Sequence, residues 1–201
     1  MRRSINILRK SCKDLELLKA LQSELKYEQS TNPFQGHQSG ALGDFVLDWD
    51  APQSQDVVLR RKCDSGEEVA VSALLGHEVL DGEGLLLPRQ ALMKVCIKKP
   101  GLSPVLQFDC GISSKGDDES EFAIHNAYYH RSLSCLGPSD YRGPLFSSLD
   151  PQLQDAFKEY LIARGIGEDL TNFVLLHLHR KEQGQYVNWL RKLEDMVAKN
   201  A

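Results

Sequence analysis

Six stretches between Asp44 and His130 read as strands, most of them with side chains patterned in period two, and no other feature of the chain constrains its fold as strongly. They read DFVLDWD (44–50), DVVLRRK (Asp56–Lys62), EEVAVSALL (67–75), ALMKVCIKK (91–99), PVLQFDC (104–110) and FAIHNAYYH (Phe122–His130). Successive side chains on a strand point to opposite faces. Val69, Val71, Ala73 and Leu75 therefore share one apolar face, as do Ala91, Met93, Val95 and Ile97. Short turns at Cys63–Gly66 and Lys99–Leu102 predict an antiparallel, half-buried meander. Longer loops are expected at His77–Pro88 and Ser113–Glu121, the second holding the acidic run DDESE, a solvated turn by default.

Helical periodicity brackets this block. In DLELLKALQSELKYE (14–28), Leu15, Leu18, Leu21 and Leu25 line one side, and Asp14 can cap the start. After the strands, Asp150-Pro151 opens a helix with proline at its first position. Leu153, Phe157, Tyr160 and Leu161 form its apolar stripe, and Gly165 supplies a left-handed cap. A second helix starts at Glu168–Asp169 and is expected to run to about Lys199. Helix, strand block, helix pair is the order of an α+β fold with helices on one side of an antiparallel sheet.

Charge narrows the partners. The chain has 201 residues, 24 basic and 28 acidic, for a net charge of −4. Residues 1–13 hold Arg2, Arg3, Arg9, Lys10 and Lys13 and no acid; setting those five aside leaves 19 basic against 28 acidic residues, a balance of −9. Such a body repels phosphate backbones and attracts cationic partners. The first 13 residues read equally as the start of the first helix or as a basic leader of mitochondrial presequence type. No apolar run reaches the roughly 20 residues needed to cross a bilayer. Cys12, Cys63, Cys96, Cys110 and Cys135 are odd in number and lack a C-x-x-C pair, so they suggest neither a disulfide framework nor a zinc site. No N-x-[ST] glycosylation acceptor occurs.

Several short motifs suggest chemistry. In LHLHRKE (176–182), His177 and His179 would point about 200° apart on a helix and could not share a metal ion. A local pair between His179 and Glu182 is the more natural role. GIGEDL (165–170) follows a helix, not a strand, and lacks the third glycine of a dinucleotide loop. Cys110 with His125 is a conceivable nucleophilic pair, although packing is the stronger expectation for both. Arg60, Arg61, Lys62, Lys94, Lys98 and Lys99 are strand-face or edge charges without interleaved stacking aromatics.

The C-terminal third carries a distinctive pattern. L-x-x-x-F-x-x-Y-L-x-x-R-G-I (Leu153–Ile166) precedes L-x-x-F (Leu170–Phe173) and K-E-x-x-x-Y-x-x-W-L-x-x-L (Lys181–Leu193). With VLQFDC (Val105–Cys110) and the preceding LMKVCIKK, this resembles the mitochondrial glycoprotein family, also called the mitochondrial acidic matrix protein family, which includes the receptor for the globular heads of the first complement component. The resemblance covers about residues 12–199.

It implies a strongly twisted seven-stranded antiparallel sheet with one N-terminal and two C-terminal helices, the seventh strand near Gly143–Phe146. It further implies that the long terminal helices pack as a coiled coil, and that three copies form a doughnut with uneven charge. The implied protein has no catalytic site and no cofactor. It is an acidic, chaperone-like binding protein of the mitochondrial matrix, linked to oxidative phosphorylation and the mitochondrial ribosome. The expected organisation is a basic leader at 1–13 and a single domain at 14–199. Asp117, Asp118, Glu119 and Glu121 are the expected contacts for cationic segments of partners. Leu175, Leu178, Glu182, Tyr186, Trp189 and Leu193 are the expected structural face of the long helix. The acidic run and the basic leader are both short for the family. Two alternatives stand beside this reading. An RNA- or ribosome-associated assembly factor would place Arg60–Lys62 together on one exposed face. A cryptic cysteine or serine hydrolase would use His125 or His130.

Overall fold

A computed structural model of the chain describes residues 2–31, 40–76, 90–116, 119–132 and 141–199, with residues 2–12 as backbone only. They fall into two compact units, Met1–Gly36 with Arg180–Ala201, and His37–His179.

The larger unit holds an antiparallel meander of six strands in sequence order: β1 (Val46–Trp49), β2 (Val57–Lys62), β3 (Glu68–Leu75), β4 (Ala91–Lys98), β5 (Val105–Gly116) and β6 (Glu119–His130). The register aligns Leu59, Val71, Val95, Phe108 and Ala127 in one row across β2 to β6. The first four of these are fully buried. Their face is closed by Leu161 of α2 (Pro151–Ile162), Ile166 of the following turn, and Leu170, Val174 and Leu178 of α3 (Glu168–Ala198). Each such side chain contributes about 1.5–3 kcal/mol on burial.

Local signals act where they stand in the sequence. Asp150 caps α2 by accepting from Gln152 N–H at 2.9 Å, with Pro151 following it. Gly165, at φ +82°, ends α2: its N–H donates to the Ile162 carbonyl and Ile166 N–H to that of Leu161.

Three expectations need correction. The sheet has six strands among the described residues, not seven. Gly143–Phe146 passes the edge of β6, but Gly143 has φ +84° and Pro144 has no N–H to give a ladder, so the segment leads into a 3-10 turn, Phe146–Ser148. The loop expected at Ser113–Glu121 is strand on both sides of residues 117–118, with Ser113 paired to Glu121 and Ser114 to Ser120. Polar side chains hid this extension, which a buried 2.7 Å hydroxyl contact between Ser120 and Thr171 of α3 anchors. Third, the alternation read in DFVLDWD breaks at a register shift between Leu47 and Trp49: Phe45 is buried, while Leu47 and Trp49 stand in solvent. His77–Pro88 is a loop expectation that lies outside the described residues.

In the smaller unit, α1 (Arg2–Ser30) meets the C-terminal part of α3. Leu21, Leu25 and Leu190 are buried together, with Tyr186, Val187, Leu193 and Val197 packed around them. Gln22 donates to Glu194 at 3.0 Å, Tyr186 to Glu24 at 3.2 Å, and Gln183 to the Thr31 carbonyl at 3.1 Å. Contacts that ascend α1 thus descend α3, so the two helices run antiparallel.

Candidate functional site

The acidic end of the β5–β6 hairpin is the candidate for partner binding. Glu119 and Glu121 lie on β6, while Asp117 and Asp118 fall outside the described residues. Lys115 Nζ lies 2.8 Å from Glu121 Oε2, with both side chains about half exposed. Hydrogen bonding to Glu121 raises the Lys115 pKa, and the charges of Glu121, Glu119 and Glu168 add to the effect. One ammonium group therefore sits among three carboxylates at this end. Ser120 points inward to Thr171, whose hydroxyl also contacts the Glu168 carbonyl at 3.1 Å, so the hairpin presents its charges from a fixed base.

The expected helix face divides between two cores. Leu175 and Leu178 are buried beneath the sheet, whereas Tyr186 and Leu193 pack beside Leu190 in the helix pair. Glu182 is exposed and Trp189 is 54% exposed, its ring stacked on Tyr186 at 6.0 Å. The buried stripe of the helix pair runs through Tyr186, Leu190, Leu193 and Val197. Desolvation, the bond to Glu24 and the charges of Glu24, Glu28 and Glu182 all raise the Tyr186 pKa. The charge of Glu182 therefore acts on Tyr186 without burial.

The basic strand residues do not share one face. Arg60 pairs with Asp48 at 2.6 Å on the solvent side, and Arg61, pointing the other way, pairs with Asp44 at 2.9 Å beside Gly165. The period of a strand forbids Arg60–Lys62 from forming the joint patch that the RNA reading requires.

The candidate nucleophile and base are also separated. Cys110 is 2% exposed on the core face. His125 falls at the register shift of β6 and its ring lies over Gly111, on the opposite face. Burial, with the Asp109 charge in support, pushes the Cys110 thiol up to about 12. His130 donates from Nε2 to Gln107 Oε1 at 3.2 Å, and Gln107 donates to Asp109 at 2.8 Å. On α3, His177 pairs with Asp50 at 2.8 Å and stacks on Phe173, while His179 lies half-buried two residues on.

A thiol raised this far stays protonated at neutral pH, and only the thiolate is nucleophilic. The Cys96 thiol is raised as well, chiefly by burial. Mass-mapped alkylation of the native protein should therefore label Cys63 well before Cys96, and Cys110 only after unfolding. Labelling of native Cys110 at the Cys63 rate would contradict its placement.

These elements define an α+β fold, a six-stranded antiparallel meander among the described residues with helices over one face, and solved structures share it. The Trypanosoma brucei p22 protein aligns with a TM-score of 0.69 and 23% identity, over 92% of this chain and 99% of that one. A Leishmania major protein described as a sequence homologue of human p32 aligns with a TM-score of 0.70 and 20% identity, over the same shares. The family model described as mitochondrial glycoprotein matches residues 88–197, and the chain belongs to that family. The mitochondrial acidic protein mam33 of Schizosaccharomyces pombe is 32% identical over 111 residues, which cover 50% of this chain and 39% of the relative. An uncharacterised mitochondrial protein of Arabidopsis thaliana is 25% identical over 198 residues, 90% of this chain and 74% of that protein.

Proposed function

We propose that this protein is a non-enzymatic, acidic binding protein of the mitochondrial matrix that assembles as a homotrimer and holds cationic segments of partner proteins. In that role it supports oxidative phosphorylation or mitochondrial gene expression in a chaperone-like way. The observation that carries the reading is the anchored acidic end of the β5–β6 hairpin, where Glu119, Glu121 and Glu168 surround Lys115. Asp117 and Asp118 add two carboxylates in the adjoining sequence. Family membership and the mitochondrial names of two relatives support the compartment. The α1–α3 contact through Leu21, Leu25 and Leu190 supports a coiled-coil helix pair.

Sedimentation at micromolar concentration tests the assembly, and a clean monomer removes it. Converting Asp117, Asp118, Glu119 and Glu121 to their amides should weaken binding of an arginine-rich peptide, as should added salt. Affinity unchanged by both would remove the hairpin from the mechanism. The RNA reading has lost the common face it needs for Arg60–Lys62, and the hydrolase reading its Cys110–His125 pair.

A further inference from the structure

Beside the acidic hairpin end lies a solvent-open groove of about 340 Å³ between β6 and α2. Its floor is apolar: Phe122 and Phe146 are 7% and 8% exposed, and Ile124 is half-buried between solvent and core. The floor is also held in place. The Phe146 ring lies 6.1 Å from Phe157, which meets Phe108 edge-on at 5.5 Å in the centre of the core. Glu121 forms one wall, and Asp155 and Lys158 of α2 form the other. The volume is at the low end of the roughly 300–1,000 Å³ of small-molecule clefts, which suits one large side chain better than a cofactor.

The surrounding charge has a definite sign. Glu119, Glu121 and Glu168 act on Lys115 at the hairpin end, and Glu121, Asp155 and Lys158 line the groove itself, four carboxylates to two ammonium groups in all. Glu121 is paired with Lys115, whereas neither Asp155 nor Lys158 makes an ion pair with another described residue.

We propose that this groove receives one apolar side chain of a basic, amphipathic segment of a partner protein, with flanking Lys or Arg residues set against Asp155 and the hairpin carboxylates. The inference rests on the cationic-partner reading and makes it specific: charge draws the segment in, and the apolar residue fixes its register. Lys158 sets polarity. It repels a basic residue at its own end of the groove, so the segment carries its positive charge toward Glu121 and Asp155.

The test uses the full chain and three synthetic peptides: arginines flanking a leucine, the same with serine for leucine, and the same with glutamates for arginines. The leucine peptide should bind tightest and the glutamate peptide not at all. Asp155→Lys should weaken the leucine peptide by roughly tenfold, and Lys158→Glu should strengthen it. Ser147→Tyr, at an exposed position on the rim, should fill the groove and make the leucine and serine peptides bind alike. Unfolding curves that match the parent protein certify each variant.

Equal binding of the leucine and serine peptides to the parent protein, with Asp155→Lys silent, overturns the groove. If the hairpin amide variant still loses affinity in that case, the broader reading survives. Failure of every arginine peptide to bind overturns both. Loss of self-assembly in Ser147→Tyr would assign the groove to a second copy of the chain and overturn the proposal.

Discussion

Replacing Arg164 with alanine should cost about 3–5 kcal/mol of folding stability, because it strands a buried carboxylate. Arg164 presents Nε and Nη2 to the two oxygens of Glu67 at 2.7 and 3.1 Å. Nη1 donates to the Tyr160 carbonyl at 2.9 Å, and Cζ lies 3.4 Å over the Tyr160 ring. Only 18% of the Arg164 side chain and 10% of that of Glu67 reach solvent. The contact ties the turn after α2 to the turn between β2 and β3, so its loss should be felt across the sheet unit. Urea denaturation should show a lower midpoint with an unchanged slope. Arg164→Lys should recover little, since an ammonium group cannot reproduce the planar fork. Replacing both partners with apolar residues should cost less than Arg164→Ala alone. A loss under about 1 kcal/mol for Arg164→Ala would place the pair among exposed ion pairs instead.

Phe108→Ala should cost a similar amount, about 3–5 kcal/mol, for a different reason. The ring is fully buried, edge-on to Phe157 at 5.5 Å and tilted against Tyr160 at 6.4 Å. Its removal opens a cavity under α2 that β4 and β5, fixed by their ladder, cannot close. Thermal unfolding should shift down by roughly 10 °C or more, and Phe108→Leu should restore much of the loss. A shift of only about 2 °C would mean that the helices collapse onto the vacancy. Since Phe108 and Arg164 both touch Tyr160, the two substitutions should not be additive.

The sequence showed most clearly what depends on neighbours along the chain. Alternation in β3 and β4 located their buried faces because each strand has one apolar and one polar side. Asp150-Pro151 and Gly165 marked both ends of α2 because capping is a local contest for unpaired backbone groups. Where the decisive contact is distant, the reading stopped short. Glu67 and Arg164 are 97 residues apart, and nothing in either neighbourhood announces their pairing. The polar ends of β5 and β6 looked like loop because their stability comes from mutual pairing and from Thr171.

The candidate site divides in the same way. The acidic run was visible as composition, but the groove beside it needs Phe122, Phe146 and Asp155 to converge from three segments. Glu182 and Trp189 share the spacing of Tyr186 and Leu193 yet face solvent, since one turn of α3 separates an inward position from an outward one only by phase. Strand period, applied to Arg60–Lys62, was enough by itself to divide the basic cluster.

The meander has a consequence for the growing chain. Every strand pairs with its sequence neighbour, so β1 to β6 can zip together in the order of synthesis. The cover for their apolar face, Leu161 to Leu178, is made only afterwards. Leu21 and Leu25, translated before every strand, wait for Leu190, translated after the last of them. Until then the nascent protein carries a paired sheet with a bare greasy side and a first helix without its mate. Its period of greatest exposure therefore falls after the strands have formed and while Pro151–Ala198 is still being made, about two and a half to ten seconds at the usual pace of synthesis.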